Sequence, residues 1–293
     1  MRRLLIIGCG DVALRAAPQL RDRYRLYALT HSRERVPLLR AHGVVPIAGD
    51  LDAAASLEAL AGIAHDVLHC APPPQRGTRD TRTAHLIAAL AKGESLPQRL
   101  VYISTSGVYG DCEGECVDET RTPRPQTARA QRRADAERQL RTWGRRCGVR
   151  VAILRAPGIY SEERLPLARL QAGTPALCAE EDAYTNHIHA ADLARAAVAA
   201  LRFAPSGRAY NAADDRPLKM GDYFDLVADR FGVSRPQRIS RAEANRRIAP
   251  EMLSFMNESR RLSNCRIKRE LRLKLRYPTV HDGIAAALPA PRV

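Results

Sequence analysis

The chain has 293 residues, 45% of them hydrophobic and 27% charged, with 47 basic residues against 32 acidic ones. These proportions exclude a disordered or fibrous chain and leave room for one large domain or two linked ones. Arginines interrupt every apolar run well short of the ~20 residues a membrane span needs. The basic start Met1-Arg2-Arg3 leads only into the short apolar run 4–7, where a signal peptide needs roughly 7–15 residues, so a cytoplasmic location is expected.

The run 4–7, closed by Gly8, predicts a buried strand. Further strands are predicted over 25–29, 44–48, 66–70, 99–104 and 150–154, with helical patterns between them at about 11–22, 33–42, 53–61, 79–92 and 127–147. Strands alternating with helices imply βαβ units, and right-handed crossovers then give a doubly wound parallel sheet in the α/β class. After residue 157 the alternation weakens. Helices are predicted over 190–203, 219–231, 241–257 and 266–273, and a short strand over 208–211 returns to the main sheet. The expected organisation is a first domain over 1–157, rejoined by 186–214, and a smaller, mostly helical, discontinuous substrate domain over 158–293.

Gly8-Cys9-Gly10-Asp11-Val12-Ala13 fits G-x-G-x-x-G/A directly after a strand and at the opening of a helix. Gly8 permits the tight turn, Gly10 lets backbone approach a pyrophosphate, and Ala13 keeps helix and strand close. The helix start at Asp11 and Val12 supplies free N–H groups to the phosphates. The predicted first domain is therefore a Rossmann-type dinucleotide site. An NAD site places Asp or Glu about 20 residues after the first glycine, but the second strand here ends in Thr30-His31-Ser32-Arg33. Thr30, Ser32 and Arg33 suit a 2′-phosphate, with Arg33 as bidentate partner. NADP is the expected cofactor, and NAD is the alternative if Glu34 turns inward.

The seven cysteines are an odd number, with Cys112 and Cys116 close together, and neither a disulfide framework nor a zinc site is expected. His187 and His189 share a face in a strand without a visible third ligand, so no metal is predicted.

Several later segments carry a resemblance. They are Gly49-Asp50-Leu51, Val101 through Gly110 (VYISTSGVYG), Leu154 through Tyr160 (LRAPGIY), Asn186 through Ala194 (NHIHAADLA), and Tyr210 through Asp215 (YNAADD). Together with the glycine motif they resemble, in order along nearly the whole chain, an extended short-chain dehydrogenase/reductase of the NAD-dependent epimerase/dehydratase kind. The resemblance implies further cofactor contacts at Asp50, Leu51, Cys70, Ala71, Pro72, Ser104, Pro157, Gly158 and Ile159. It implies a catalytic Thr105, and substrate contacts at Ser106, Arg129, Tyr160, Asn186 and His187. In that family a Tyr-x-x-x-Lys pair carries the chemistry. Here its two positions fall on Arg129 and Arg133. No Tyr occurs between Tyr109 and Tyr160 and no Lys between Lys92 and Lys219. Arginine never gives up its proton and cannot replace the tyrosine. Arg133 can still supply the positive charge and ribose contact, and Tyr109 is either a packing residue beside the active site, the preferred reading, or a proton donor beside the nicotinamide. The chain thus resembles an atypical member. Two functions follow: an oxidoreductase or epimerase acting on a nucleotide-linked or other anionic small molecule, or a non-catalytic NADP-binding sensor or interaction module.

The net charge of +15 is concentrated. Residues 121–150 net +8 and residues 235–276 net +9, so the remainder nets −2. A total of this size is the usual footprint of a nucleic-acid binder, but no basic segment is interleaved with aromatics, and 5% aromatic content leaves few stacking platforms. One basic segment covers the helix of the family's catalytic pair, and the other belongs to the substrate domain. A cleft of one sign steers an anionic ligand inward, so a phosphorylated or carboxylated small molecule is the expected partner. Ala136, Leu140, Trp143 and Cys147 form a stripe on 127–147 that is buried either on its own sheet or in a homodimer.

Overall fold

The computed structural model describes residues 1–249, 253 and 256–287. Seven strands form one sheet: β1 (Arg2–Ile7), β2 (Tyr24–Thr30), β3 (Val44–Ala48), β4 (Asp66–His69), β5 (Arg99–Thr105), β6 (Arg150–Ala156) and β7 (Ala209–Asn211). Their order is β7-β6-β5-β4-β1-β2-β3, and every neighbouring pair is parallel. The sheet is the doubly wound α/β arrangement that the alternation predicts.

Strand periodicity explains the two-sided core. Leu4 and Ile6 of β1 pack with α1 (Asp11–Leu20), α2 (Val36–Ala41), α6 (Ala190–Phe203) and α9 (Cys265–Leu271). Leu5 and Ile7 point the other way, toward α3 (Thr81–Ala91) and α4 (Ala128–Cys147). Side chains alternate across a strand, so an uninterrupted apolar run is the pattern of a strand covered on both faces. Asp80 and Thr127 cap α3 and α4 by accepting from the Thr83 and Ala130 amides, and Gly148 ends α4 at φ +70°. Ala136, Leu140 and Trp143 of α4 are buried on their own sheet, while Cys147 is exposed.

Some predicted helices are shorter or of another type. Residues 33–42 form a 3-10 turn (Arg33–Arg35) followed by α2. Residues 53–61 hold a 3-10 helix (Ala54–Leu60), whose buried Leu57 and Leu60 stand at the three-residue spacing that suits it. The helix predicted over 241–257 stops as α8 (Arg241–Arg247), with Ile248 extended. Pro250 disfavours a helical residue before it. Within that prediction, 250–252 and 254–255 lie outside the described residues.

Beyond residue 157, α5 (Leu167–Gln171), α7 (Met220–Phe231) and α10 (Val280–Ala287) enclose a second small core around Tyr160, Phe224 and Ile284. Short strand pairs tie these segments together. Gly158–Tyr160 runs parallel to His187–His189, and Arg261–Leu262 pairs with Cys116–Val117 just after the β5 loop.

Candidate functional site

The carboxyl ends of β1, β4, β5 and β6 open onto a cavity of about 280 Å³. This is where an open α/β sheet binds ligands. Gly8 turns at φ +80°, and a Cβ there would stand 2.4 Å from the Ala71 nitrogen. Gly10, at the start of α1, faces open space within 4 Å. The α1 amides, Asp11, Val12, Cys70, Ser104 and Arg133 line this cavity. A dinucleotide fits the donor set: a glycine cradle that a Cβ would fill, a helix N-terminus for the diphosphate and Arg133 beside it. Arg133 is held in place. Its Nη1 donates to the Ile103 carbonyl at 2.8 Å and the Tyr102 hydroxyl at 3.0 Å.

The arginine over the glycine loop is Arg35, not Arg33. Both side chains are exposed, but Arg35 Nη2 donates to the Cys9 carbonyl at 2.6 Å. Thr30 is committed locally, because its hydroxyl closes the turn to Ser32. Asp50 and Leu51 follow β3 away from the lining. Asp50 accepts from the Asp52 amide, and the Leu51 carbonyl meets the His85 ring. Ala71 backs Gly8, and the Pro72 carbonyl accepts from Arg82.

A second cavity of about 380 Å³ adjoins the first, and Thr105, Pro157 and Ile159 line both. The Thr105 oxygen accepts from the Gly107 amide at 3.2 Å, which leaves its own proton to a ligand. Ser106, Arg129, Gly158, Tyr160, Asn186 and His187 also line the larger cavity. His187 stacks on Tyr223 with centroids 4.1 Å apart, and burial pushes its ring down to about 3, so it is neutral. Asn186 faces the cavity, but its carboxamide is spent on the chain over 260–262. It donates to the Arg260 carbonyl and accepts from the Leu262 amide.

Tyr109 takes the packing role and not the catalytic one. It is not a lining residue but is fully buried, with its hydroxyl donating to Asn211 Oδ1 at 2.8 Å and accepting from Arg155 at 2.9 Å. Burial, then Arg155 in opposition, leaves the phenol raised above its ordinary range. It supports the active-site loop instead of offering a proton.

The family model named NAD dependent epimerase/dehydratase family matches residues 10–213. The chain belongs to this family. A conserved protein of unknown function from Silicibacter pomeroyi is 26% identical over 98% of both chains, with a TM-score of 0.80. UDP-glucose 4-epimerase from Thermotoga maritima, solved with UDP-glucose, is 16% identical over 96% of both chains (TM-score 0.77). A double mutant of dTDP-glucose 4,6-dehydratase from Streptomyces venezuelae, solved with NAD, is 20% identical over 97% of this chain and 95% of its own (TM-score 0.78). For the last two the likeness is one of fold. No curated protein matches the chain.

Within this family member, the two basic segments reach the cavities only in part. Arg129, Arg133 and Arg260 line them, whereas Arg138 pairs with Asp135, Arg141 donates to the Gly207 carbonyl and Arg235 pairs with Asp229. A further cation, Arg169, comes from outside both segments and stands 4.5 Å over the Phe224 ring. Sequence reasoning missed Arg35, Arg169, Tyr223, Glu258 and Arg260. Among the described residues, no three His, Cys, Asp or Glu side chains come together as a metal site, and no helix is long and apolar enough to cross a membrane.

Proposed function

We propose that this family member is an NADP-dependent oxidoreductase or epimerase acting on a nucleotide-linked or other anionic small molecule. The observation that carries this reading is the meeting of the two cavities at Thr105, Pro157 and Ile159. One cavity has the glycine cradle, and the other is walled by Arg129, Arg169 and Arg260. A bound nicotinamide cofactor supplies hydride transfer there. This chain orients the substrate carbonyl or hydroxyl on Thr105, neutralises its anionic part with the arginines, and places Arg133 by the cofactor ribose.

Turnover tests the reading. Purified protein is mixed with NADP⁺ or NADPH and a panel of UDP-glucose, UDP-glucuronate, dTDP-glucose, aldehydes and ketones. Nicotinamide absorbance and sugar products are followed. Conversion of an anionic panel member, lowered at least about 100-fold by Thr105→Ala, is the expected result. Arg129 stands where the family's tyrosine belongs and has no proton to give, which favours a second reading as a cofactor-binding sensor. Tight NADPH binding without turnover across the panel would establish that second reading instead.

NADP preference rests on Arg35. Loss of one charge-assisted contact to a 2′-phosphate costs about 1.5–3 kcal/mol, so Arg35→Ala is expected to weaken NADPH binding about 10–100-fold and leave NADH binding within threefold of wild type. Titration of both cofactors by fluorescence checks this. An equal loss for both would remove Arg35 from 2′-phosphate recognition.

A further inference from the structure

The family's tyrosine is replaced, so the larger cavity needs another group to move the substrate proton. Most of its titratable wall is disqualified. Arg129, Arg169 and Arg260 keep their protons at any working pH. His187 is held neutral and weakly basic by burial. The Tyr160 hydroxyl donates to the Thr279 carbonyl, and burial pushes both Tyr160 and Tyr223 upward. Tyr184 has Lys219 and Arg261 stacked over its ring and is the rival candidate.

One carboxylate lines the cavity among the described residues, that of Glu258. Its side chain is 9% exposed. Oε2 accepts from both Nη1 and Nη2 of Arg260 at 2.9 Å, while Oε1 is buried and has no partner. Buried polar atoms are nearly always satisfied, so an orphan oxygen on a side chain that lines the cavity asks for an explanation. The segment carrying it is pinned to the active-site loop. Arg260 Nη1 donates to the Gly110 carbonyl, the Ser259 amide donates to Asp111 Oδ1 at 2.7 Å, and Arg261–Leu262 pairs with Cys116–Val117. Arg129, at the tyrosine's position on α4, lies within electrostatic reach of the same carboxylate.

We propose that Glu258 is the catalytic residue that accepts the substrate hydroxyl proton in this cavity, a role that rests on the oxidoreductase or epimerase reading above. On oxidation, the substrate O–H bond breaks and its proton goes to Glu258 Oε1. The C–H bond of the same carbon breaks with its electron pair, and the hydride passes to an oxidised nicotinamide cofactor. The substrate is left as a carbonyl compound and Glu258 as a carboxylic acid, while Arg260 holds Oε2 in place. The reverse step returns the proton when a carbonyl is reduced.

The experiment compares wild type, Glu258→Ala, Glu258→Gln and Tyr184→Phe as full-length proteins. Calorimetry gives NADP⁺ and UDP-glucose binding, and turnover is measured on UDP-glucose, UDP-glucuronate and dTDP-glucose with and without sodium formate. Both Glu258 variants are expected to bind NADP⁺ as wild type does and to bind UDP-glucose within threefold of it. Turnover should fall by about 100-fold or more. Formate, a small carboxylate that fits the space vacated in Glu258→Ala, should restore at least tenfold there and nothing in Glu258→Gln. Turnover of either Glu258 variant near the wild-type rate overturns the assignment. So does a loss that formate does not relieve, a parallel loss of NADP⁺ binding in both variants, or a larger loss in Tyr184→Phe. If wild type itself converts no panel member, the functional reading fails and the Glu258 assignment falls with it.

Discussion

Gly8→Ala is expected to destabilise the protein by about 2–4 kcal/mol and to abolish dinucleotide binding, whereas Gly10→Ala keeps the fold and loses the cofactor. Gly8 sits at φ +80°, where an L side chain costs roughly 1–2 kcal/mol. Its added Cβ would also meet the backbone nitrogen of Ala71 at 2.4 Å and the Ala71 Cα at 2.5 Å. Those atoms follow β4 in the centre of the sheet and cannot swing aside as a side-chain tip can, so overpacking adds about 1–3 kcal/mol. Gly10 differs in both respects. Its φ is −91°, and a Cβ there meets nothing in the protein within 4 Å. A stability change below about 1 kcal/mol is expected. The new methyl then stands in the space left for a diphosphate, and NADPH affinity should fall at least tenfold. Urea denaturation and fluorescence titration of the two variants separate the effects. A Gly10→Ala protein with wild-type NADPH affinity would show that the diphosphate does not lie on this loop.

The same two glycines show which parts of the molecule the sequence reveals. A run of four apolar residues, a glycine loop and a helix start are local features, and β1, the loop and α1 follow from them directly. Arg35 illustrates what local pattern leaves open. It stands two residues from Arg33 on a turn with three residues per repeat. Which guanidinium returns over the glycine loop is set by the turn geometry, not by the order of residues. Arg169, Glu258 and Arg260 lie further out of reach. Arg169 enters the cavity from the five-residue helix α5, too short to show a period, and Glu258 and Arg260 enter from a segment tied down by a two-residue strand pair. Only closure of the chain around Thr105 brings them together.

Buried charge was a signal that could have been used. Arg155 follows the apolar run 151–154 of β6, and Glu137 lies on the inner face of α4 beside Ala136 and Leu140. A charge in either place demands a partner. Taken together the two residues predict each other, and with them the register of α4 against β6. The alternative in which Tyr109 offers a proton fails for the same reason, since the buried arginine that must be satisfied claims its hydroxyl.

Glu137→Ala is accordingly expected to cost about 3–5 kcal/mol, the usual penalty for stranding one half of a buried ion pair. Arg155 and Glu137 side chains are 4% and 5% exposed, with Nη2 to Oε2 at 2.7 Å and Nε to Oε1 at 3.1 Å. Burial pulls against the charge on Arg155, and Glu137 and Tyr109 outweigh it, so the guanidinium stays charged. Removing Glu137 would leave that cation in the core and free the Ser104 hydroxyl, which now donates to Glu137 at 2.7 Å. The loss should spread along a defined route. Arg155 holds Tyr109, Tyr109 donates to Asn211, and the Asn211 carboxamide donates to the Val117 and Ser263 carbonyls. The pair therefore braces the loop after Thr105 against the segment that carries Glu258 and Arg260. Replacing both partners, Glu137→Leu with Arg155→Met, removes the stranded charge and should recover at least half of the lost stability. The double variant still lacks the brace, and weaker binding of the anionic ligand proposed above should persist in it. Guanidinium denaturation of the single and double variants, with calorimetry on each, tests both parts. A single variant costing less than about 1 kcal/mol, the range of a surface pair, would show that the core relaxes around Arg155 and that the loop is positioned by other contacts.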